Sequence, residues 1–298
     1  MPELRRYLLM PVAFDSRSHI LEIPGEAWEA DIAERHMQNR QRLIAKLEVE
    51  YGKASVDTVV ENMTDLGQDP WSCIGWHIPL WLQVKDAYLT GAYYPAAVGA
   101  GALGERILSH LLIDLVDLAP EATDKDRRLI DKNGMGASEM LAILRRWKVA
   151  EPEALDLFDQ LRVKRNRLVH FDPDLYGNLR DRTLEMMRLL RDAINAQFSV
   201  LLPRRLIPNH GRGNSLLRKA AEAEPFVRMY VLPRALSVSP RYALRFVPPG
   251  VWEVAAEEPV FAEVDTDEEF VRHLGSIPEP QMPDGVDERW WRDPEASS

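Results

Sequence analysis

Between Ile78 and Phe198 the chain carries five successive segments whose apolar residues recur at intervals of three and four. That is the period of a helix with one buried face. "IPLWLQVKDAYLTG" stops at Gly91, and "AYYPAAVGAGALGERILSHLLIDLVDL" runs to Pro120. After a charged connection come "ASEMLAILRRWKV", "EALDLFDQLRVKRNRLVHF" and "RDRTLEMMRLLRDAINAQF". Connections this short set consecutive helices side by side. The pattern therefore predicts a mainly α fold, with a bundle of four or five helices over residues 78–200 and small strand-containing extensions on both sides.

The flanks are less regular. Residues 1–77 read as two short strands, "RYLLMPVAF" and "HILEIP", around the turn "DSRS". A long amphipathic helix from Glu26 to Gly52 follows, then a shorter helix in "KASVDTVVENMTDLG" and a loop, "QDPWSCIGW". Residues 201–275 begin with "PRRLIPNHGRGNSLLRK", rich in breakers and basic residues and so read as a linker. "FVRMYVL", "YALRFVP" and "VWEVAA" then read as strands. Residues 276–298 combine proline and acid with little apolar content, the composition of a disordered tail. Within that tail, Trp290 and Trp291 are suited to docking as an aromatic anchor.

The net charge of −10 is unevenly placed. From Gly250 to Ser298 there are 14 Asp and Glu against 3 Arg and Lys, which leaves 34 basic and 33 acidic residues in the preceding 249. An acidic total thus does not exclude a polyanion site in the body of the protein. The acidic tail could lie over such a site and restrain it. Cys73 is the only cysteine, which excludes an intrachain disulfide and a thiolate-cluster metal site. The remaining histidines, His19, His36, His77, His110, His210 and His273, are scattered without metal-ligand spacing. No metal and no cofactor is expected. No uninterrupted apolar run of membrane-spanning length and no signal peptide is evident, so a cytoplasmic protein without a membrane partner is expected.

Two motifs carry possible chemistry. "GAGALG", Gly99 to Gly104, fits the G-x-G-x-x-G pattern of a dinucleotide-binding turn, with Asp117 at 18 residues from Gly99. The preceding strand would have to be "AYYPAAV", interrupted by Pro95, and no alternating strand–helix series follows. The plainer expectation is a buried helix whose small residues admit a close neighbour.

The second motif is "LRVKRNRLVHFDP", Leu161 to Pro173, which packs four positive charges into a core helix. At about 100° per residue, Leu157, Leu161, Leu168 and Phe171 share one apolar arc. Arg162, Asn166 and His170 form an adjoining stripe. Arg165 falls inside the apolar arc, where a charge needs a partner or a wet crevice. Asp172-Pro173 should end the helix, which puts His170 in its last turn. A histidine there titrates near neutrality and can move protons.

Arg165-Asn166-Arg167-Leu168-Val169-His170 resembles the R-(polar)-x-x-x-H motif of the HEPN superfamily. "LTGAYYPAAVGAGALGERILSHLL" is similar to the long first helix of many of its members, with Glu105 as a glutamate of that helix. The resemblance covers about residues 78–198. It implies a HEPN-like bundle that homodimerises with two motifs facing each other, and a metal-independent endoribonuclease of toxin–antitoxin, abortive-infection or anti-phage defence systems. The RNA's own 2′-hydroxyl would attack, leaving a cyclic phosphate. By the same resemblance Arg165, Asn166 and His170 are the catalytic set. His170 would be acid or base and Arg165 the stabiliser of phosphate charge, with Asn166 orienting the imidazole or bonding phosphate. Arg162, Lys164 and Arg167 would hold flanking phosphates, and an antitoxin or other regulatory protein would be a further partner. The alternatives are a non-catalytic HEPN-type module binding nucleic acid or a partner, and a purely structural Arg165–Glu105 pair.

Overall fold

The computed structural model describes residues 5–9, 15, 17–132, 134–170, 177–199, 202–209, 214–238, 244–247, 251–254 and 266–267. The fold is mainly α, with small antiparallel sheets. Most of the described chain, residues 6–208 and 214–236, forms one compact unit. In it the helices are α1 (Arg17–Leu21), α2 (Ala30–Tyr51), α3 (Val56–Leu66), α4 (Ile78–Leu89), α5 (Tyr93–Leu115), α6 (Asp124–Asp131), α7 (Ala137–Trp147), α8 (Pro152–Val169) and α9 (Leu179–Phe198).

Helices α4, α5, α7, α8 and α9 make the bundle, with α5 touching the other four and α8 packed along α9. The reason lies in α5's residues. Ala96, Ala97, Ala100, Leu103, Ile107, Leu108, Leu111, Leu112 and Leu115 are all buried, giving small side chains in its first half and leucines in its second. Over 18 residues α5 has a mean hydropathy of 1.2, enough by length and composition to cross a membrane, yet 56% of that stretch is buried inside the protein. Its start is set by a tight reversal at the end of α4. Gly91 takes φ +83°, its N–H donates to the Tyr88 carbonyl at 3.1 Å and that of Ala92 to the Ala87 carbonyl at 2.8 Å. This is a Schellman cap, for which glycine lacks the Cβ penalty. Pro95, in the first turn, gives up an N–H that would have had no helical partner.

Helices α1, α2 and α3 pack together, and α3 leans on α4 and α9. Strands β1 (Arg5–Leu9), β2 (Leu206–Asn209), β3 (Asn214–Leu217) and β4 (Ala235–Val238) order as β2-β3-β1-β4, with Tyr7 opposite Leu216 in an antiparallel pair. In the second unit, residues 1–5, 209–213 and 237–298, β5 (Leu244–Val247) and β6 (Val251–Val254) form an antiparallel hairpin.

Several flanking expectations are corrected. "HILEIP" is not a strand, because Asp15 accepts the Arg17 N–H at 3.0 Å and starts α1. The charged connection after Pro120 holds α6, capped by the Thr123–Asp126 box. Asp126 also accepts from the Arg146 guanidinium at 2.6 Å and the Trp147 indole at 3.2 Å, tying α6 to α7. The segment read as a linker contains β2 and β3. "FVRMYVL" is a helical turn of π type over Val227–Val231, since Phe226, Val227, Tyr230 and Val231 are the buried positions and their spacing is helical. Its β-branched and aromatic residues suggested a strand; burial against the bundle prevailed. The acidic tail with Trp290 and Trp291 lies outside the described residues.

Candidate functional site

Helix α8 opens on Pro152 at its first position, where a missing N–H has no cost. It ends at Val169, two residues before Phe171, where the sequence pattern carried it. His170 takes the extended conformation φ −80°, ψ 150°, and its backbone N–H closes the helix on the Asn166 carbonyl at 3.1 Å. It is therefore the capping residue rather than part of the last turn, and its side chain is exposed. Phe171, Asp172 and Pro173 lie outside the described residues.

Arg165 sits where the helical arc placed it, facing α5. A Cβ on Gly101 would come within 2.4 Å of Arg165 Cγ and 2.8 Å of its Cβ, so the arginine's stem lies on the bare backbone of Gly101. One turn along, a Cβ on Gly104 would meet Leu161 Cδ2 at 2.8 Å, and one on Gly99 would meet Val84 Cγ2 of α4 at 2.9 Å. The glycine motif is thus an unbroken part of α5 that admits α8 on one face and α4 on another. The dinucleotide-turn alternative falls with this geometry, since no strand or turn is present there. Sequence reasoning expected close helix approach but did not connect Gly101 with Arg165.

The guanidinium of Arg165 is loosely held. Its Nη1 donates to Asn166 Oδ1 at 3.2 Å and lies 3.7 Å from Glu105 Oε1, beyond hydrogen-bonding distance. Its Nε is buried with no partner among the described residues, while 31% of the side chain remains exposed. Asn166 therefore bonds the arginine in this state. Among the described residues no side chain bonds the His170 imidazole.

The other basic residues divide over two flanks of α8. Arg162 pairs with Asp159 of its own helix at 2.8 Å, on the flank shared with Asn166. Lys164 pairs with Glu185 of α9 at 2.7 Å, and exposed Arg167 lies on that second flank. There the two join Arg182, which sequence reasoning passed over, around a cleft between α8 and α9. Its signal was a basic residue in the first turn of the next helix, visible only once the two helix ends are adjacent.

Elsewhere, titratable groups serve the interior. Burial pushes the Cys73 thiol up to about 11, despite nearby Arg205 and Arg234, which keeps it protonated and unreactive. Burial, with a smaller push from His110, lowers His77 to about 4. His77 lies between Trp76 and Phe198, fully buried, with neither ring nitrogen bonded among the described residues. It is a neutral core residue at the start of α4. No protein-family model, no curated protein and no solved structure matches this chain.

Proposed function

We propose that the chain is a metal-independent endoribonuclease of the HEPN type, acting in the cytoplasm as a toxin or anti-phage effector. One observation carries this reading. Arg165 lies on the core-facing side of α8 with its stem against the bare backbone of Gly101, yet its nearest carboxylate among the described residues stands at 3.7 Å. It stands on the same helix end as an exposed histidine. A half-buried, under-paired arginine is suited to a phosphate, whose two oxygens match its planar fork.

In this reading the RNA 2′-oxygen attacks the adjacent phosphorus as the 5′-oxygen leaves, giving a 2′,3′-cyclic phosphate and a 5′-hydroxyl. One imidazole takes the 2′ proton and an imidazolium supplies a proton to the leaving oxygen. Arg165 stabilises the charge that develops on the non-bridging oxygens. Asn166 holds the guanidinium, and Arg167 and Lys164 attract flanking phosphates. The active form is a homodimer in which two His170 side chains share the proton transfers. Tyr94 and Val169 support this, lying toward the motif end of α5 and α8 and each 43% exposed. An antitoxin or other regulatory protein is the expected restraint.

The test is incubation of wild type and His170→Ala with total RNA in a chelator, with product ends mapped. Cyclic-phosphate ends made only by the wild type support the assignment; equal cleavage by His170→Ala sinks it. A second reading, a non-catalytic module binding nucleic acid or a partner, is favoured by the absence, among the described residues, of a group orienting the His170 ring. It expects salt-sensitive RNA binding without turnover.

A further inference from the structure

Helix α5 packs against four neighbours and still keeps one stripe open. Tyr94, Val98, Ala102, Glu105, Ser109 and Ile113 recur at intervals of three and four, so they share one helical face. Tyr94 is 43% and Ile113 52% exposed, Ala102 and the adjoining Arg106 are exposed, and Glu105 is partly so. Glu105 and Arg106 are the only Asp, Glu, Lys or Arg between Tyr93 and Leu112. At the far end of the stripe a hollow of about 100 Å³ opens between α5, α6 and α7. Ser109, Leu112 and Ile113 line it from α5, with Ile130, Met135 and Met140 opposite. One end of the helix thus presents an exposed aromatic ring and the other a methionine-lined hollow, and methionine sulfur makes favourable contacts with aromatic rings.

We infer that the open stripe of α5 is the docking surface for a second copy of this chain, whose α5 crosses it antiparallel at Ala102 and whose hollow receives Tyr94. Three observations point to that occupant. The first is spacing. Tyr94 lies eight residues before Ala102, and Ser109 to Ile113 lie seven to eleven after it. At a rise of about 1.5 Å per residue, the ring stands about 12 Å from the crossing and the hollow begins about 10 Å beyond it. An antiparallel copy therefore brings each tyrosine to the other's hollow, and a two-fold axis uses the same self-complementary patch twice. The second is charge. The pairing sets Glu105 across from the partner's Arg106 on both sides of the axis, in a stripe without other charges. The third is continuity with the motif. Gly101 adjoins Ala102 and carries the Arg165 stem, so the crossing places both copies of Arg165 beside the two-fold axis. The small Ala102 side chain lets the two helices approach closely there.

That the pair cleaves RNA rests on the ribonuclease reading; that the stripe pairs with itself does not. Sedimentation of the full chain without RNA, over a wide range of concentration, compares wild type with Tyr94→Ala, Ala102→Arg, Glu105→Arg and Arg106→Glu. The wild type is expected to dimerise. Tyr94→Ala should weaken the dimer about thirtyfold, as for an aromatic anchor seated in a pocket, and Ala102→Arg should leave a monomer. Glu105→Arg and Arg106→Glu should each be monomeric, because every pair across the axis becomes like-charged. Mixed together, these two should form a heterodimer in which both pairs are opposite again, a recovery that also shows each variant to be folded. A monomeric wild type, a dimer unmoved by Tyr94→Ala and Ala102→Arg, or a mixture that stays monomeric would overturn the interface. A dimer that responds as expected but leaves RNA intact would uphold the interface and remove the ribonuclease reading. RNA cleavage by a monomeric wild type would do the reverse.

Discussion

Lys85 and Arg205 are interior cations with carboxylates at hydrogen-bonding distance, and Arg165 at the end of α8 is not. Lys85, 4% exposed, touches Asp15 and Asp69 at 2.8 Å each. Arg205, 2% exposed, holds Glu151 at 2.7 Å and Glu224 at 2.8 Å and stacks 4.4 Å over the Phe226 ring. These pairs join distant segments: Asp15 to α4, and the β2 region to the start of α8. Burial works against the ionised Asp15 carboxylate, but Arg17 and Lys85 hold it well below the usual carboxylate range. Among the described residues, Arg165 has its nearest carboxylate at 3.7 Å. The contrast separates charges that close the fold from a charge with no carboxylate at hydrogen-bonding distance among the described residues.

The largest effect should come from breaking a closing charge. Lys85→Ala leaves Asp69 without its partner in the interior, while Asp15 keeps Arg17, and losing one partner of a buried pair costs about 3–5 kcal/mol. Arg165→Ala should cost less than about 1 kcal/mol, as for a partly exposed pair, while removing RNA binding. Urea unfolding of both variants decides this, and equal destabilisation would erase the distinction.

His77 extends the comparison to an interior group without a partner. The unfolded chain protonates it near 6.5, whereas the buried ring resists until about 4. Stability fully present above pH 6.5 should therefore fall as the pH drops toward 4, by at most about 3 kcal/mol. His77→Phe should flatten that part of the stability–pH curve, and an unchanged curve would refute the assignment.

Gly101→Ala sharpens the contrast at Arg165 itself. Its Cβ displaces the arginine stem, so both RNA binding and about 1–3 kcal/mol of stability should be lost. Gly99→Ala, whose nearest contacts are with Val84, should lower stability and leave RNA binding intact. Binding assays and thermal melts on the pair distinguish placement of Arg165 from general loosening. The smallest effect belongs to Arg162→Ala, whose pair with Asp159 lies within one helix and contributes about 0.3–0.5 kcal/mol.

Much of the bundle was legible because helical periodicity is local. Gly52, Gly67 and Gly91 mark the ends of α2, α3 and α4, each at positive φ, and Arg165 could be assigned to the apolar arc by counting residues. The flanks were less legible. "FVRMYVL" is built of strand-favouring residues whose burial follows a helical spacing, and the first half of "HILEIP" is helical in α1, ahead of which Asp15 accepts the Arg17 N–H.

Residues a few positions apart were enough to define the bundle helices, their order, the basic cluster and the small-residue stretch of α5. Packing settled the rest: Gly101 receives Arg165, Glu105 stops at 3.7 Å while Glu151 closes on Arg205 to 2.7 Å, and Arg182 joins Arg167 beside a cleft. Those distances follow from how helices settle against one another. That in turn depends on the volumes of every side chain between them, which no local pattern encodes.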